Sequence, residues 1–195
     1  KIDKVLYYYD YNSETTETQA WRYNRTNQRP GKPLVDVIIL SKVMKYRDSI
    51  VTQQAIDSCI QGSNGLPVNI IVMEGGIGQY RGATTIPKRG KFNYNQYMNE
   101  GAALGKADWV MDGWLHNLIA AGHDVVSPHE PTDMRQKGII KNETGYVNGR
   151  HLSGWCFMMR PSLLEKIGGL DTAVDFWCSD DVVIEQLRAI GIEPM

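Results

Sequence analysis

Two short aliphatic runs constrain this chain more than anything else in it: Val35-Asp36-Val37-Ile38-Ile39-Leu40 and Val68-Asn69-Ile70-Ile71-Val72-Met73. A near-continuous β-branched run of this length is the signature of a strand buried on both faces, as in a parallel sheet. Between them, residues 49–60 carry Ile50, Val51, Ala55, Ile56, Cys59 and Ile60, a helical stripe. Gly62 and Gly65 close it. Strand, helix and strand fit within about forty residues, which is a βαβ unit. The loops after its strands then lie at the carboxyl edge, where open α/β sheets bind ligands.

The remaining elements extend this pattern. Residues 78–90 read as a flexible loop with Arg81, Lys88 and Arg89, and residues 92–104 as a helix. Ala107-Asp108-Trp109-Val110 starts another strand, residues 114–121 form a helix ended by Gly122, and residues 124–128 form a short strand. Residues 129–150 are polar and without clear periodicity. An apolar strand-like run covers residues 152–160. Pro161 opens a short helix ended by Gly168-Gly169, and residues 180–190 form a last amphipathic helix ended by Gly191. Residues 1–33 differ: a possible strand at Val5-Leu6-Tyr7-Tyr8-Tyr9, then a polar run closed by Arg29-Pro30-Gly31-Lys32-Pro33. They read as an N-terminal extension or arm, residues 34–195 being the main domain. Arg22, Arg25 and Arg29 are either phosphate ligands or a solvated loop.

Charge excludes some functions. Lys and Arg total 21 against 22 for Asp and Glu, so the chain is close to neutral and nonspecific coating of nucleic acid is not expected. No apolar run approaches the roughly 18 residues that span a bilayer. Cys59, Cys156 and Cys178 are odd in number and not spaced as CxxC, so the expectation is buried free thiols in a reducing, cytoplasmic setting.

Several residues could carry chemistry. Glu74 follows a buried strand and precedes two glycines. A carboxylate there can accept from a ribose hydroxyl or a base N–H, or simply form the turn. Neither a G-x-G-x-x-G nor a G-x-x-x-x-G-K-[ST] motif is present. Asp180 and Asp181 pair acids at a helix start, as first-turn acids or as a general base or metal-coordinating pair. His116, His123, His129 and His151 have no HxH or HExxH spacing; His151, near Gly149 and Gly154, is either a cation or phosphate ligand or an ordinary loop histidine. No G-x-S-x-G elbow exists. Trp155 and Trp177 are core residues or sugar platforms.

The order of elements resembles the GT-A fold glycosyltransferases, in particular the large inverting family 2, from about Val35 onward. The first strand and Gln53-Gln54-Ala55-Ile56-Asp57-Ser58-Cys59-Ile60-Gln61 look like the family's opening strand and helix. Ile70-Ile71-Val72-Met73-Glu74 looks like its second strand, whose terminal acid holds the nucleotide. Phe92-Asn93-Tyr94-Asn95, Asn99-Glu100-Gly101-Ala102 and Gly105-Lys106-Ala107-Asp108 resemble its "FNYS…N.GA…A.GD" stretch. The most specific piece is Ser153-Gly154-Trp155-Cys156-Phe157-Met158-Met159-Arg160, then Gly168-Gly169-Leu170-Asp171, then Asp180-Asp181 and Leu187-Arg188-Ala189-Ile190-Gly191.

The resemblance implies an α/β, Rossmann-like GT-A domain with a mostly parallel sheet flanked by helices. It implies transfer of a hexosyl group from a nucleotide-diphosphate sugar, UDP-sugar favoured, to an acceptor hydroxyl with inversion, aided by Mn2+ or Mg2+. Ser41, Glu74 and Asn99 would then bind the nucleotide, Asp180 would be the base with Asp181 beside it, and Trp155 and Trp177 would line the sugar pocket. One departure stands out. The family follows "GD" with an apolar strand ending in a D-x-D or N-N-D metal motif, whereas here Val110 runs straight into Met111-Asp112-Gly113-Trp114-Leu115. The expectation is a gap between Val110 and Met111, with Asp112 falling after the motif. The alternative is a noncatalytic nucleotide- or carbohydrate-binding domain of the same fold.

Overall fold

The structure, a computed structural model, describes residues 33, 35–45, 49–63, 65–107, 109–112, 122–128, 133–140, 142–154 and 156–195. The arm at residues 1–32, the helix expected at residues 114–121, and the candidate Trp155 lie outside the described residues.

The βαβ unit is present as β1 (Val35–Ser41), α1 (Ser49–Gly62) and β2 (Val68–Glu74). β3 (Thr84–Pro87), α2 (Tyr94–Leu104), β4 (Trp109–Asp112), β5 (Val125–Val126), β6 (Phe157–Met159), α3 (Pro161–Lys166) and α4 (Ser179–Ala189) follow. One six-stranded sheet results, in the order β3-β2-β1-β4-β6-β5. β3, β2, β1 and β4 are mutually parallel, and β6 runs antiparallel to both of its neighbours. Beyond β5 the chain end closes the edge: Met195 N–H donates to the Val125 carbonyl (3.1 Å) and Ser127 N–H to the Met195 carbonyl (2.7 Å). No helix among the described residues is long and apolar enough to cross a membrane.

Both faces of the central strands are covered, as their composition demanded. Val35, Val37, Ile70 and Val72 pack with Ile56 of α1 on one face. Ile38, Ile71 and Met73 pack with Tyr97 and Met98 of α2 and with Val183, Ile184 and Leu187 of α4 on the other. Alternate residues of one strand therefore feed opposite layers. Gly101 lets α2 lie close on β1, since a Cβ there would stand 2.7 Å from Ile38 Cγ2. Asp36 is buried among these apolar residues because its carboxylate is used: it accepts from Asn69 Nδ2 (2.7 Å) and Ala107 N–H (2.6 Å), tying β2 and the α2–β4 turn to β1.

Two expectations need correction. Residues 78–90 are not all loop, because Thr84–Pro87 forms β3. Four residues are too few to show periodicity, and Pro87 is tolerated because it ends an edge strand. Cys178 is not a buried thiol: it is exposed, in the left-handed region at φ 65°, on the turn into α4, where no apolar layer covers it. Cys156 is buried and Cys59 half-buried.

Candidate functional site at the carboxyl edge of the sheet

Parallel strands aim their last residues at one edge, and the register shows what gathers there. Ser41 pairs with Glu74, and Glu74 with Pro87, so the ends of β1, β2 and β3 are level. β6 runs the other way, so its beginning reaches the same side: Phe157 pairs with Asp112 at the end of β4. Gly154 just precedes β6. α2 begins at this edge too, because it follows β3.

Ser41 and Glu74 sit together as expected, and both are buried. Their side chains are engaged with each other's surroundings. Glu74 Oε1 accepts from the Val43 amide (2.9 Å) and the Gly76 amide (2.6 Å), and Oε2 from the Tyr80 hydroxyl (2.6 Å). Tyr80 has one proton and spends it on Glu74, so Ser41 donates to Tyr80 (2.9 Å) and Thr52 to Ser41 (3.1 Å). One carboxylate thus fastens the loops after β1 and β2. Burial pushes its carboxyl up, but the Tyr80 hydroxyl and the Val43 and Gly76 amides outweigh this and hold it below its ordinary value. Burial, and the bond to Glu74, raise Tyr80. Gly78 is required beneath this pair, for a Cβ would stand 2.1 Å from the Tyr80 hydroxyl oxygen. Tyr80 was missed from sequence, where a lone aromatic in a glycine-rich loop carries no signal.

Asp180 and Asp181 head α4, on its first turn. Asp181 is exposed and accepts from Asn148 Nδ2 (2.7 Å). Asp180 is half-buried and lies against Gly154: a Cβ on that glycine would stand 3.1 Å from Asp180 Cγ and Oδ2. The Arg135 guanidinium is close enough to Asp180 for their charges to interact. Arg135 is held by Asp133, through Nη2 to Oδ2 at 2.7 Å. It packs over Gly149, whose missing Cβ would fall 2.5 Å from Cζ. The two acids therefore have different surroundings and different freedom.

Just before them, Trp177 is 83% exposed and meets Phe176 edge-on at 5.4 Å. Phe176 in turn meets Tyr94 at 6.0 Å and Phe92 at 6.2 Å, which places this aromatic ledge at the α2 N-terminus and so at the carboxyl edge.

The other candidates are placed differently. Asn99 gives both ends of its amide to one residue: Nδ2 donates to the Leu170 carbonyl (2.7 Å) and Oδ1 accepts from the Leu170 amide (2.7 Å). His151 is buried with both nitrogens bonded. Nδ1 accepts from the Val147 amide (3.0 Å), which makes Nε2 the donor to Glu143 Oε1 (3.0 Å). Glu143 also takes the Arg150 guanidinium and the Ile140 amide (3.2 Å). Arg150 above all holds the Glu143 carboxyl down to about 2, with help from the Ile140 amide and His151. His151 is thus a fastener of the 140–151 loop. Among the described residues no group of three or more His, Cys, Asp or Glu side chains is placed to hold a metal ion.

No family model and no curated protein matches this chain. Solved structures do. A mannosyltransferase from Pyrobaculum calidifontis, PcManGT, solved with GDP-Man and Mn2+, superimposes with a TM-score of 0.55 at 15% identity, covering 91% of this chain and 61% of that one. The chain therefore spans under two thirds of that neighbour's length. The catalytic domain of a Drosophila beta1,4-galactosyltransferase 7, solved with xylobiose, gives a TM-score of 0.45 at 12% identity, over 82% of this chain and 63% of that one. The likeness is one of fold: the chain has a GT-A-type glycosyltransferase fold.

Proposed function

We propose that this chain transfers a glycosyl group from a nucleoside-diphosphate sugar to an acceptor hydroxyl. The observation that carries this reading is the convergence at one edge of a polar strand-end cluster (Ser41, Glu74, Tyr80) and a first-turn carboxylate, Asp180, beside an exposed tryptophan. The strand ends and their loops would receive the nucleotide. The loops there carry Lys42, Lys45, Arg81 and Arg89, which suits a diphosphate, while Lys88 is paired with Glu100. The PcManGT complex holds GDP-Man, and a second beta1,4-galactosyltransferase 7 structure holds UDP-Gal, manganese and xylobiose. Those donors set the classes to try first.

Chemically, the acceptor oxygen needs a base and the anomeric carbon must be open to its attack. Asp180, on the floor formed by Gly154, takes the acceptor proton on one carboxylate oxygen. The acceptor oxygen forms the new glycosidic bond, the bond to the diphosphate breaks, and the diphosphate leaves with its electron pair. Attack on the face opposite the leaving group inverts the anomeric centre. Trp177 offers a flat apolar surface for a sugar ring. The adjacent Asp181 points about 100° further round the helix and is tied to Asn148, so it serves the loop rather than the proton.

Mn2+ or Mg2+ belongs to the same reading, but the described side chains do not assemble a site for it. In this reading the residues that would hold the cation belong to a gap between Val110 and Met111, two residues that pair in continuous register with Asp36 and Val37 of β1.

The test is transfer from a panel of UDP- and GDP-sugars to simple glycosides, by wild type and by Asp180→Asn and Asp181→Asn. Asp180→Asn should lose about 10²–10⁴-fold in turnover and keep its nucleotide affinity. Asp181→Asn should lose less. Full activity of Asp180→Asn overturns the assignment, and inactivity of Asp181→Asn alone moves the base by one residue. Nucleotide binding without transfer under every condition would favour a binding domain of the same fold.

A further inference from the structure

Asn93, Asn95 and Asn99 form one polar ladder on α2, and the segment facing them descends it in order. Asn99 clasps both the N–H and the carbonyl of Leu170. Four residues earlier, on the same helix face, Asn95 Nδ2 donates to the Asp171 carbonyl (2.7 Å). At the cap, Asn93 Nδ2 donates to the Thr172 carbonyl (2.9 Å) while its Oδ1 caps the helix at Gln96 N–H (2.8 Å). The Tyr94 amide then donates to the Asp175 carbonyl (2.6 Å). The opposite side of the same segment is tied to α4, where Gln186 Nε2 donates to the carbonyls of Ile167 (3.1 Å) and Gly169 (2.7 Å). α2 itself is keyed to β1 where Gly101 meets Ile38. An unbroken mechanical path thus runs from β1, which ends at Ser41, through α2 and the 167–175 segment to α4, which begins at Asp180.

Resting on the glycosyl-transfer reading, we propose that Asn99 is a positioning residue. By clasping Leu170 at both ends it sets Asp180 and Trp177 at the correct reach from the nucleotide-binding strand ends. The side chain need not touch substrate. Only an amide can do this at one residue, since it carries a donor and an acceptor on one rigid plane. Alanine loses both bonds. Aspartate keeps the bond from the Leu170 amide but sets a carboxylate oxygen against the Leu170 carbonyl.

The experiment uses the full chain as wild type, Asn99→Ala and Asn99→Asp. Four quantities are read: amide exchange, the 19F resonance of 5-fluorotryptophan at Trp177 (assigned by Trp177→Phe), affinity for UDP and GDP by calorimetry, and transfer turnover. Expected in Asn99→Ala are lost protection at the Leu170 amide with protection in β1 retained, a displaced Trp177 resonance, and nucleotide affinity within about twofold of wild type. Turnover should fall roughly 10–100-fold, the scale of an ångström-sized misplacement. Asn99→Asp, which keeps one of the two bonds, should show the same split and serves if the alanine variant does not fold. A folded variant with undiminished turnover overturns the proposal. So does a parallel fall of turnover and nucleotide affinity, which would mark a general loss of structure. A wild type that binds neither UDP nor GDP and transfers no sugar overturns the glycosyl-transfer reading and the proposal with it, whereas a transferring wild type matched by Asn99→Ala overturns this proposal alone.

Discussion

Glu74 has three donors converging on its carboxylate, and almost none of it is accessible. Replacing it with alanine leaves the Val43 and Gly76 amides without their acceptor, and an abandoned buried donor costs about 1–3 kcal/mol. Glu74→Ala should therefore lower unfolding stability by at least that amount and weaken UDP or GDP binding, because the loops after β1 and β2 lose their common anchor. Tyr80→Phe removes one hydroxyl and should cost about 1 kcal/mol, an ordinary hydrogen bond. Denaturant unfolding and calorimetry on the two variants check both statements. A folded Glu74→Ala chain with unchanged nucleotide affinity would remove Glu74 from the donor site. Residue identity was legible here and residue role was not: the position of Glu74 follows from the strand it ends, but its partner Tyr80 arrives from a loop six residues on.

At the scale of elements, the 140–151 loop has little regular structure and is held by a charged knot instead. Arg150, the Ile140 amide and His151 all bind Glu143. The Glu143 carboxyl titrates at about 2 when folded, against an ordinary value of 4.5. A depressed carboxyl contributes stability that is present above its unfolded value and lost as pH falls through the folded one. The loop should therefore loosen between about pH 4.5 and 2 while the sheet persists. Amide exchange at Val147 and His151 will report it, and Glu143→Gln should show the looser loop already at neutral pH with a flattened acid dependence. An acid-insensitive loop in the native chain would refute the role of the knot. Because Asn148 binds Asp181, this loop also borders the first turn of α4. Its composition without periodicity hid it from sequence reading, since ion pairs between loop residues leave no repeating pattern.

For the whole molecule, β4 lies in the sheet between β1, β2 and β3 on one side and β6 and β5 on the other. If transfer requires a divalent cation, exhaustive EDTA treatment should abolish turnover and Mn2+ or Mg2+ restore it. A parallel variant with three residues, Asp-Ala-Asp, inserted between Val110 and Met111 should raise Mn2+ affinity measured by calorimetry. Full turnover after EDTA would reject metal dependence, and unchanged Mn2+ affinity in the folded insertion variant would show that β4 is not where a cation is held.

The amino-acid sequence by itself determined the βαβ unit, the helix boundaries near Asn93, Pro161 and Asp180, and the edge at which Ser41 and Glu74 end. Those follow from local rules: strand hydrophobicity, capping chemistry and chain direction. Its family resemblance also carried the fold, through the order of many weak pieces. Only the tertiary structure decided what each polar side chain does. Asn99 and His151 stand where a linear reading expects ligands, and folding brings Leu170, Val147 and Glu143 to bond their side-chain atoms. Hydrogen bonds saturate: an amide or imidazole whose atoms are already satisfied by neighbouring main-chain and side-chain groups has little left to offer a ligand, and saturation is a property of three-dimensional neighbours that sequence order does not contain.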